Sequence, residues 1–198
     1  DIFAKGTLEG FMARERQGGK GAQGRNYLVM QWGTHGRDTT TDYKLKPNRH
    51  EVSTSALRQK FFEHYLKGDA EALNGIPKVQ YYILGDDTDP DAPGNEWRTA
   101  DTWPPYPATA TPFYLQPDGA LGSESASGEA AHHEFTFDPN DPYPTWGGAN
   151  LLPNLVAGPY YQRKHSLSRT DLLKYVSAPL DAPLEIIGEV RTAADNLT

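Results

Sequence analysis

Residues 26–36 read Asn-Tyr-Leu-Val-Met-Gln-Trp-Gly-Thr-His-Gly, and this stretch is the main indication of the fold class. Residues 26–31 form a short apolar run of the kind that makes a buried strand. Gly33 and His35 follow at once, so the histidine lies just past the carboxyl end of that strand. Because ligands and catalytic groups of α/β sheets gather beyond the carboxyl ends of strands, His35 is a candidate functional residue. A loop histidine with a structural hydrogen bond is the alternative interpretation.

The segments on either side of this strand complete an α/β unit. Residues 3–17 place apolar side chains at helical spacing and stop at Gly18-Gly19, which predicts a helix. Residues 50–67 predict a second helix, with Gly68 as its stop. Residues 78–84 are rich in aromatic and β-branched side chains and predict a second strand. Helix, strand, helix and strand in this order indicate an α/β fold.

The proline-dense stretch 103–107 changes the character of the chain. Its prolines forbid a helix and disfavour a central strand, so it predicts a domain boundary. Beyond it we expect no helix but spaced short strands, which are typical of a sandwich or jelly roll. The strand-like runs are residues 111–116, 134–137, 172–177 and 184–190, with a small-residue loop at 119–128. The predicted fold class is therefore α/β plus all-β.

Composition excludes several classes of function. The 198 residues include no cysteine, so there is no disulfide, thiol nucleophile or Cys-based zinc site. A formal net charge of −7 disfavours nucleic acid as the main partner, since phosphate binding needs basic clusters. No apolar run approaches the ~20 residues of a membrane helix, so no membrane partner is expected. The cellular compartment stays open.

Other titratable residues give weaker indications of a functional site. His132 and His133 are adjacent in a predicted strand and would point to opposite faces, which makes a poor chelating pair. His165 belongs to a basic turn, for which we expect a solvated loop. The acidic run 86–91 lacks the glycine and the final glutamate of an EF-hand loop, so a solvated turn is expected there too. Neither a metal nor a cofactor is predicted, and the sequence contains no G-x-S-x-G nucleophile elbow.

Taken together, many short stretches along the whole chain resemble the cocaine-esterase-like acyl hydrolases, which are grouped with X-Pro dipeptidyl-peptidases and α-amino-acid ester hydrolases. The stretches that carry the resemblance, in family order, are residues 1–3 with 6–11, 28–36, 61–68, 97–98 with 103–104, 111–115, 137–139 with 141–144, 147–150, 158–159 with 162–163, and 175–180. Each stretch is short, and their colinear order makes the resemblance specific.

The resemblance implies the C-terminal part of an α/β-hydrolase catalytic domain over residues 1–107 and part of a β jelly-roll domain over residues 108–198. It implies Asp1 as the acid and His35 as the base of a Ser-Asp-His triad. The serine and the oxyanion-hole donors would lie outside this chain, in an N-terminal part of the polypeptide. Trp32 stands one place before the position of the family's tryptophan. His35 therefore aligns with the family's histidine, whereas Trp32 does not align with its tryptophan.

The implied reaction is cleavage of an ester or amide bond through an acyl-enzyme, without a cofactor. The partners are then a small-molecule ester or peptide substrate and the remainder of the same polypeptide, and a homo-oligomer stays open. We expect an internal segment of a larger hydrolase that does not hydrolyse substrate by itself. The alternative is a non-catalytic jelly-roll module that binds carbohydrate or protein. Its candidate sugar-stacking residues are Trp97, Trp103, Tyr106, Tyr143 and Trp146, for which packing inside the protein is the other interpretation.

Overall fold

The structure is a computed structural model, and it describes residues 3–35, 42–107, 109–127, 132–151, 155–188 and 190–192. Its elements are helix α1 (Ala4–Gln17), strand β1 (Leu28–Met30), a 3-10 turn (Pro47–His50), helix α2 (Thr54–Lys67), strands β2 (Val79–Ile83), β3 (Glu96–Ala100), β4 (Tyr114–Leu115) and β5 (Leu121–Gly122), and helix α3 (Arg163–Ser166). None of the helices in the described part is long and apolar enough to cross a membrane.

A three-stranded sheet in the order β1-β2-β3 organises residues 3–107, which we call the sheet region. β1 and β2 are parallel, with Leu28 opposite Val79, and α2 lies in the connection between them. β2 and β3 are antiparallel, with Tyr81 opposite Arg98. The strand-helix-strand order confirms the α/β prediction for this region, whereas the sequence did not predict β3.

The core of the sheet region lies between α1 and the sheet. Phe11 of α1, Leu28, Val79 and Tyr81 are buried there, and Val79 is completely inaccessible. Phe11 is the buried residue of α1, and Leu8 and Met12 on the same face of the helix pack against the core beside it. Burial of side chains of this size contributes about 1.5–3 kcal/mol each.

A carboxylate closes the glycine turn that joins α1 to β1. Glu15 accepts the backbone N–H of Gly24 at 3.0 Å and the side-chain amide of Asn26 at 2.5 Å. The ammonium of Lys78, beside β2, lies 4.4 Å from the centre of the Tyr27 ring. These contacts hold α1 at a fixed distance from the start of β1.

α2 forms where the sequence predicts a helix, but it does not enter the core. Ser53 caps its first turn by accepting the N–H of Ala56 at 3.2 Å, and Gly68 ends it in the left-handed conformation at φ 77°. No residue of α2 is buried, and Leu66 of its apolar stripe is 77% exposed. The helical periodicity is therefore correct. The apolar stripe is half-buried at Phe61, whose ring meets that of Tyr27, and exposed at Phe62 and Leu66.

Residues 109–192, which we call the β-rich region, contain much less regular structure than the sequence predicts. β4 and β5 pair as a two-residue antiparallel hairpin, and Ala120 forms an isolated bridge with Val176. The predicted strands at 134–137 and 184–188 do not form, because no neighbouring strand in the described part supplies a hydrogen-bonded ladder. Residue 189 lies outside the described residues.

Two further expectations for the β-rich region are wrong. β5 lies inside the segment 119–128 that was expected to be a loop, because Leu121 pairs with Leu115 across a tight turn. α3 is a helix where none was expected, and it is a single turn long. It forms because Trp146 packs against its side, which a local pattern does not reveal.

The chain has an unusually large solvent-accessible surface. Its accessible area is 14577 Å², whereas a folded monomer of this mass exposes roughly 9,300 Å². Large apolar side chains contribute to this area in both regions, namely Phe62, Leu66, Phe135, Phe137, Val176, Leu184 and Ile186 among others. An isolated folded domain of this mass rarely exposes apolar surface of this extent.

Candidate functional site

A cleft opens at the carboxyl end of β1, where the two regions meet. Residues 31–34, which follow β1, form one side, and Tyr82 of β2 and Leu84, just beyond the end of β2, form the floor. The opposite side is made by four residues of the β-rich region, Gly148, Ala149, Gly158 and Pro159, which we call the glycine wall. The cleft has a volume of about 370 Å³.

His35 lies at the rim of this cleft, directly after the lining residue Thr34. Its side chain is exposed, and its ring meets the edge of the Phe3 ring with 5.3 Å between the centroids. The contact joins the start of α1 to the loop after β1. Asp1, the implied acid, lies outside the described residues. His35 thus lies beside the cleft, one residue after Thr34, and is not itself one of the lining residues.

Trp32 anchors the loop that carries His35. Its indole N–H donates to the carbonyl of Arg49 at 3.1 Å, and the Arg49 guanidinium lies 5.2 Å from the centre of its ring. The ring of His50 meets the indole edge-on at 5.7 Å. Trp32 thus ties the loop to the 3-10 turn, which fixes the start of the segment that ends at His35.

A buried asparagine holds the floor of the cleft in place. Asn95 is 2% exposed, and its side chain accepts the N–H of Gly85 at 3.2 Å and donates to the carbonyl of Asp86 at 2.8 Å. The Tyr43 hydroxyl donates to the Gly85 carbonyl at 2.5 Å, and desolvation by burial raises the pKa of this phenol. Asn48 donates to the Asn95 carbonyl at 2.8 Å. The chain leaving β2 is therefore fixed on several sides.

The glycine wall is built by backbone hydrogen bonds. Gly148 and Gly158 exchange two N–H to carbonyl bonds, at 2.8 and 2.9 Å. The side-chain amide of Asn150 donates to the carbonyls of Gly147 and Val156 and closes the loop between them. A Cβ at Gly147 would come within 2.6 Å of the Gly158 carbonyl oxygen, so only glycine fits beside the bridge.

Asp87 connects the glycine wall to the sheet region. Its carboxylate accepts the hydroxyl of Tyr161, two residues after Pro159, and the backbone N–H of Lys44 at 2.6 Å. The Tyr161 hydroxyl and the Lys44 N–H hold the pKa of Asp87 below its ordinary value. The same contact raises the pKa of Tyr161 to about 12. The carboxylate is consequently ionised, and the hydrogen bonds to it are charge-assisted.

The remaining candidates of the sequence have other surroundings. His133 lies between the Tyr175 hydroxyl and the Pro117 carbonyl, each at 2.8 Å, and its neighbour His132 pairs with Glu134. His165 is not in a solvated loop as expected: it is half-buried in α3, where its ring lies 4.3 Å from that of Trp146. Across the described ranges, no group of three or more His, Asp or Glu side chains is arranged to hold a metal ion.

The aromatic residues considered for sugar stacking contact other parts of the protein. Trp97 meets Tyr82, and Trp103 meets Tyr81, in both cases edge to face at about 5.5 Å. The other three contacts are those of Tyr106 with Glu185, of Tyr143 with Arg169, and of Trp146 with Tyr160. These contacts fit the packing interpretation, in which the rings join elements of the fold.

Sequence reasoning missed the residues that shape the cleft. Tyr43, Asn95 and Tyr161 act through partners 10 to 74 positions away, and no local pattern reports such contacts. The Pro93-Gly94-Asn95 run carried a turn signal, and Asn95 indeed adopts φ 55°, which asparagine tolerates better than most residues. That signal could have identified Asn95 as a structural residue.

The cleft therefore lies at the end of a parallel strand and is walled by the β-rich region. The sequence matches the family described as the X-Pro dipeptidyl-peptidase C-terminal non-catalytic domain over residues 72–193, more than half of the chain. The chain therefore belongs to the cocaine-esterase-like and X-Pro dipeptidyl-peptidase-like hydrolases, as a C-terminal segment, and the resemblance stated from the sequence is confirmed.

Longer proteins that are similar to this chain support the same family assignment. The chain is 32% identical over 163 residues to the cocaine esterase of Rhodococcus sp. (strain MB1 Bresler), a match that covers 78% of this chain and 27% of that protein. It is 31% identical over 134 residues to two mycobacterial proteins, from M. bovis and M. tuberculosis, whose names propose a serine esterase; these matches cover 66% of this chain and 19% of each. The chain thus spans about a quarter or less of these relatives.

Proposed function

We propose that this chain is part of a serine hydrolase that cleaves ester or amide bonds through an acyl-enzyme, with His35 as the triad base and Asp1 as the triad acid. The observation that carries the proposal is the position of His35 at the rim of the cleft beyond β1. Phe3, two positions after Asp1, packs against the His35 ring and supports the pairing. The esterase relatives support the reaction class.

In this proposal each residue has one chemical role. A serine hydroxyl is a weak nucleophile until a neutral imidazole takes its proton, and His35 would do so. The Asp1 carboxylate would hold the His35 tautomer and stabilise the imidazolium that forms. Water activated by the same histidine would then release the acyl group. The serine and the oxyanion donors lie outside this chain in the proposal, since the chain itself has no G-x-S-x-G.

We further propose the domain assignment that follows from this mechanism. Residues 1–107 would close the carboxyl end of an α/β-hydrolase domain, and residues 108–198 would form part of a jelly roll. The exposed apolar side chains of both regions would then be covered by the rest of the same polypeptide. The strand-like runs 134–137 and 184–190 would complete their ladders with strands of that remainder.

A fluorophosphonate probe on the full-length protein tests the proposal. The probe is expected to label the wild type, and His35→Ala is expected to lose both labelling and ester hydrolysis, by about 10³-fold or more. His132→Ala is the matched control, because its side chain is exposed and pairs only with Glu134 among the contacts described here. The 198-residue chain alone is expected to be neither labelled nor active.

Full labelling of the His35→Ala protein would remove the triad assignment. Equal losses in the His35→Ala and His132→Ala proteins would also contradict it, because the effect would then not depend on the cleft. Esterase activity of the chain alone would show that a nucleophile lies within it.

A further inference from the structure

The two sides of the cleft belong to different regions of the chain, so something must set the distance between them. One side is the loop after β1, and the other is the glycine wall of the β-rich region. The backbone bonds between Gly148 and Gly158 fix the wall internally, but they do not attach it to the sheet region. The attachment comes from side chains just beyond Pro159.

Asp87 is the point where three segments of the chain meet. Its carboxylate accepts the Tyr161 hydroxyl from the wall side and the Lys44 N–H from the segment between the histidine loop and the 3-10 turn. Asp87 itself follows Gly85 and Asp86, whose backbone is held by the buried Asn95. A single carboxylate on a fixed base therefore positions the wall.

A second contact acts in parallel with the first. Lys164, three residues after Tyr161, pairs with Asp42 at 2.7 Å. The Lys164 side chain is half exposed, so water screens this ion pair in part. Asp42 thus receives a contact directly from the segment that follows the glycine wall, whereas Lys44 is joined to that segment through Asp87.

We propose that Asp87 is a positioning residue that holds the glycine wall against the sheet region and so sets the size of the substrate group that the cleft admits. The selectivity part rests on the proposed hydrolase function. Asp87 does not touch the reacting atoms in this proposal, since it acts through Tyr161 and Pro159. Its removal is therefore expected to change substrate selection and wall mobility more than the rate of the chemical step.

The test compares four variants of the full-length protein. Asp87→Ala removes both hydrogen bonds, and Tyr161→Phe removes only the bond to the wall. Asp87→Asn is the conservative variant, because its amide can accept the Lys44 N–H and donate to the Tyr161 oxygen. Asp91→Ala is the matched control, because it removes the same charge from the same exposed loop and leaves both bonds in place.

The first readout is amide hydrogen exchange in residues 155–163, which include the Gly158 N–H bonded to Gly148. Exchange there is expected to be at least about fivefold faster in Asp87→Ala and Tyr161→Phe, and unchanged in Asp91→Ala. Asp87→Asn is expected to lie close to the wild type. Equal exchange in Asp87→Ala and Asp91→Ala overturns the proposal. If Asp87→Ala does not fold, Tyr161→Phe decides the same question.

The second readout is the KM for p-nitrophenyl acetate and p-nitrophenyl benzoate. The ratio of the two KM values is expected to shift at least about fivefold in Asp87→Ala, with kcat for the acetate within about twofold of the wild type. An unchanged ratio overturns the selectivity role. A wild type that hydrolyses neither ester removes the proposed ester hydrolysis and the selectivity role together, and the exchange result then decides the positioning role by itself.

Discussion

The sheet region and the β-rich region contain similar strand-forming sequences, but they bury them very differently. In the sheet region β2 is paired on both sides, and Leu28, Val79 and Tyr81 are buried. In the β-rich region Ala157 is the one buried apolar residue among those described, and its strands are two residues long. The difference shows that strand propensity becomes structure only where a neighbouring strand and a core are present.

The largest expected difference between the regions concerns aromatic side chains. Tyr81→Ala is expected to lower the free energy of unfolding by about 3–5 kcal/mol, because the ring is 4% exposed and packs against Trp103. Phe137→Ala is expected to change it by no more than about 0.5 kcal/mol, because that ring is 63% exposed. Urea unfolding followed by tryptophan fluorescence measures both. Equal losses would mean that the β-rich region has a core of its own.

A smaller difference is expected for two asparagines. Asn95→Ala is expected to cost about 2 kcal/mol, because it leaves the Asp86 carbonyl without its donor and places alanine at φ 55°. Asn140→Ala in the β-rich region is expected to cost less than about 0.5 kcal/mol, because that residue is exposed. The same unfolding experiment applies, and a loss below about 0.5 kcal/mol at Asn95 would show that the floor of the cleft does not depend on it.

The smallest expected effect concerns the contact that joins the two regions. Glu185 accepts bonds from Tyr106 and Arg98, and these two donors hold its pKa below the ordinary 4.5. A lowered folded pKa means that the stabilisation is complete above pH 4.5 and is lost as the pH falls through the folded value. Glu185→Gln is expected to cost about 1 kcal/mol at pH 7, since the carboxylate is partly exposed.

The pH profile provides the check on Glu185. Between pH 7 and pH 3, the wild type is expected to lose its advantage over Glu185→Gln, so that the two unfolding free energies converge at low pH. A constant difference across this range would mean that the charge of Glu185 contributes nothing. The regions would then be held together by their other contacts, among them the bond between Asp87 and Tyr161 and the packing of Ile187 against the sheet core.

The sequence predicts those parts of the fold whose causes are local. α1, β1, α2 and β2 follow from periodicity and from stops at Gly18 and Gly68, and each forms within a few residues of its predicted bounds. β3 was missed because polar and apolar residues are mixed around Arg98, so the segment has no clear strand pattern. It forms a strand because the edge of β2 is free to pair with it. The β-rich strands were over-predicted for the opposite reason, since their sequence is favourable and their partners are absent from the described part.

The same contrast between local and long-range causes applies to the candidate site. The position of His35 just after a strand could be predicted, because it is a local property of the sequence. Asp87 and Tyr161 could not, because they are 74 positions apart and their contact depends on how two regions meet. The acidic run around Asp87 was expected to be a solvated turn, and its other carboxylates largely fit that expectation. Asp87 alone among them reaches across to the β-rich region.

The glycine wall combines a backbone that cannot vary with a side chain that can. Gly147 has no room for a Cβ, and Gly158 adopts φ 101°, so mutation at either position distorts the bridge. Ala149, between them on the cleft, is exposed and faces no such restriction. An evolving lineage could therefore enlarge or fill the cleft at position 149 while the loop geometry stays the same.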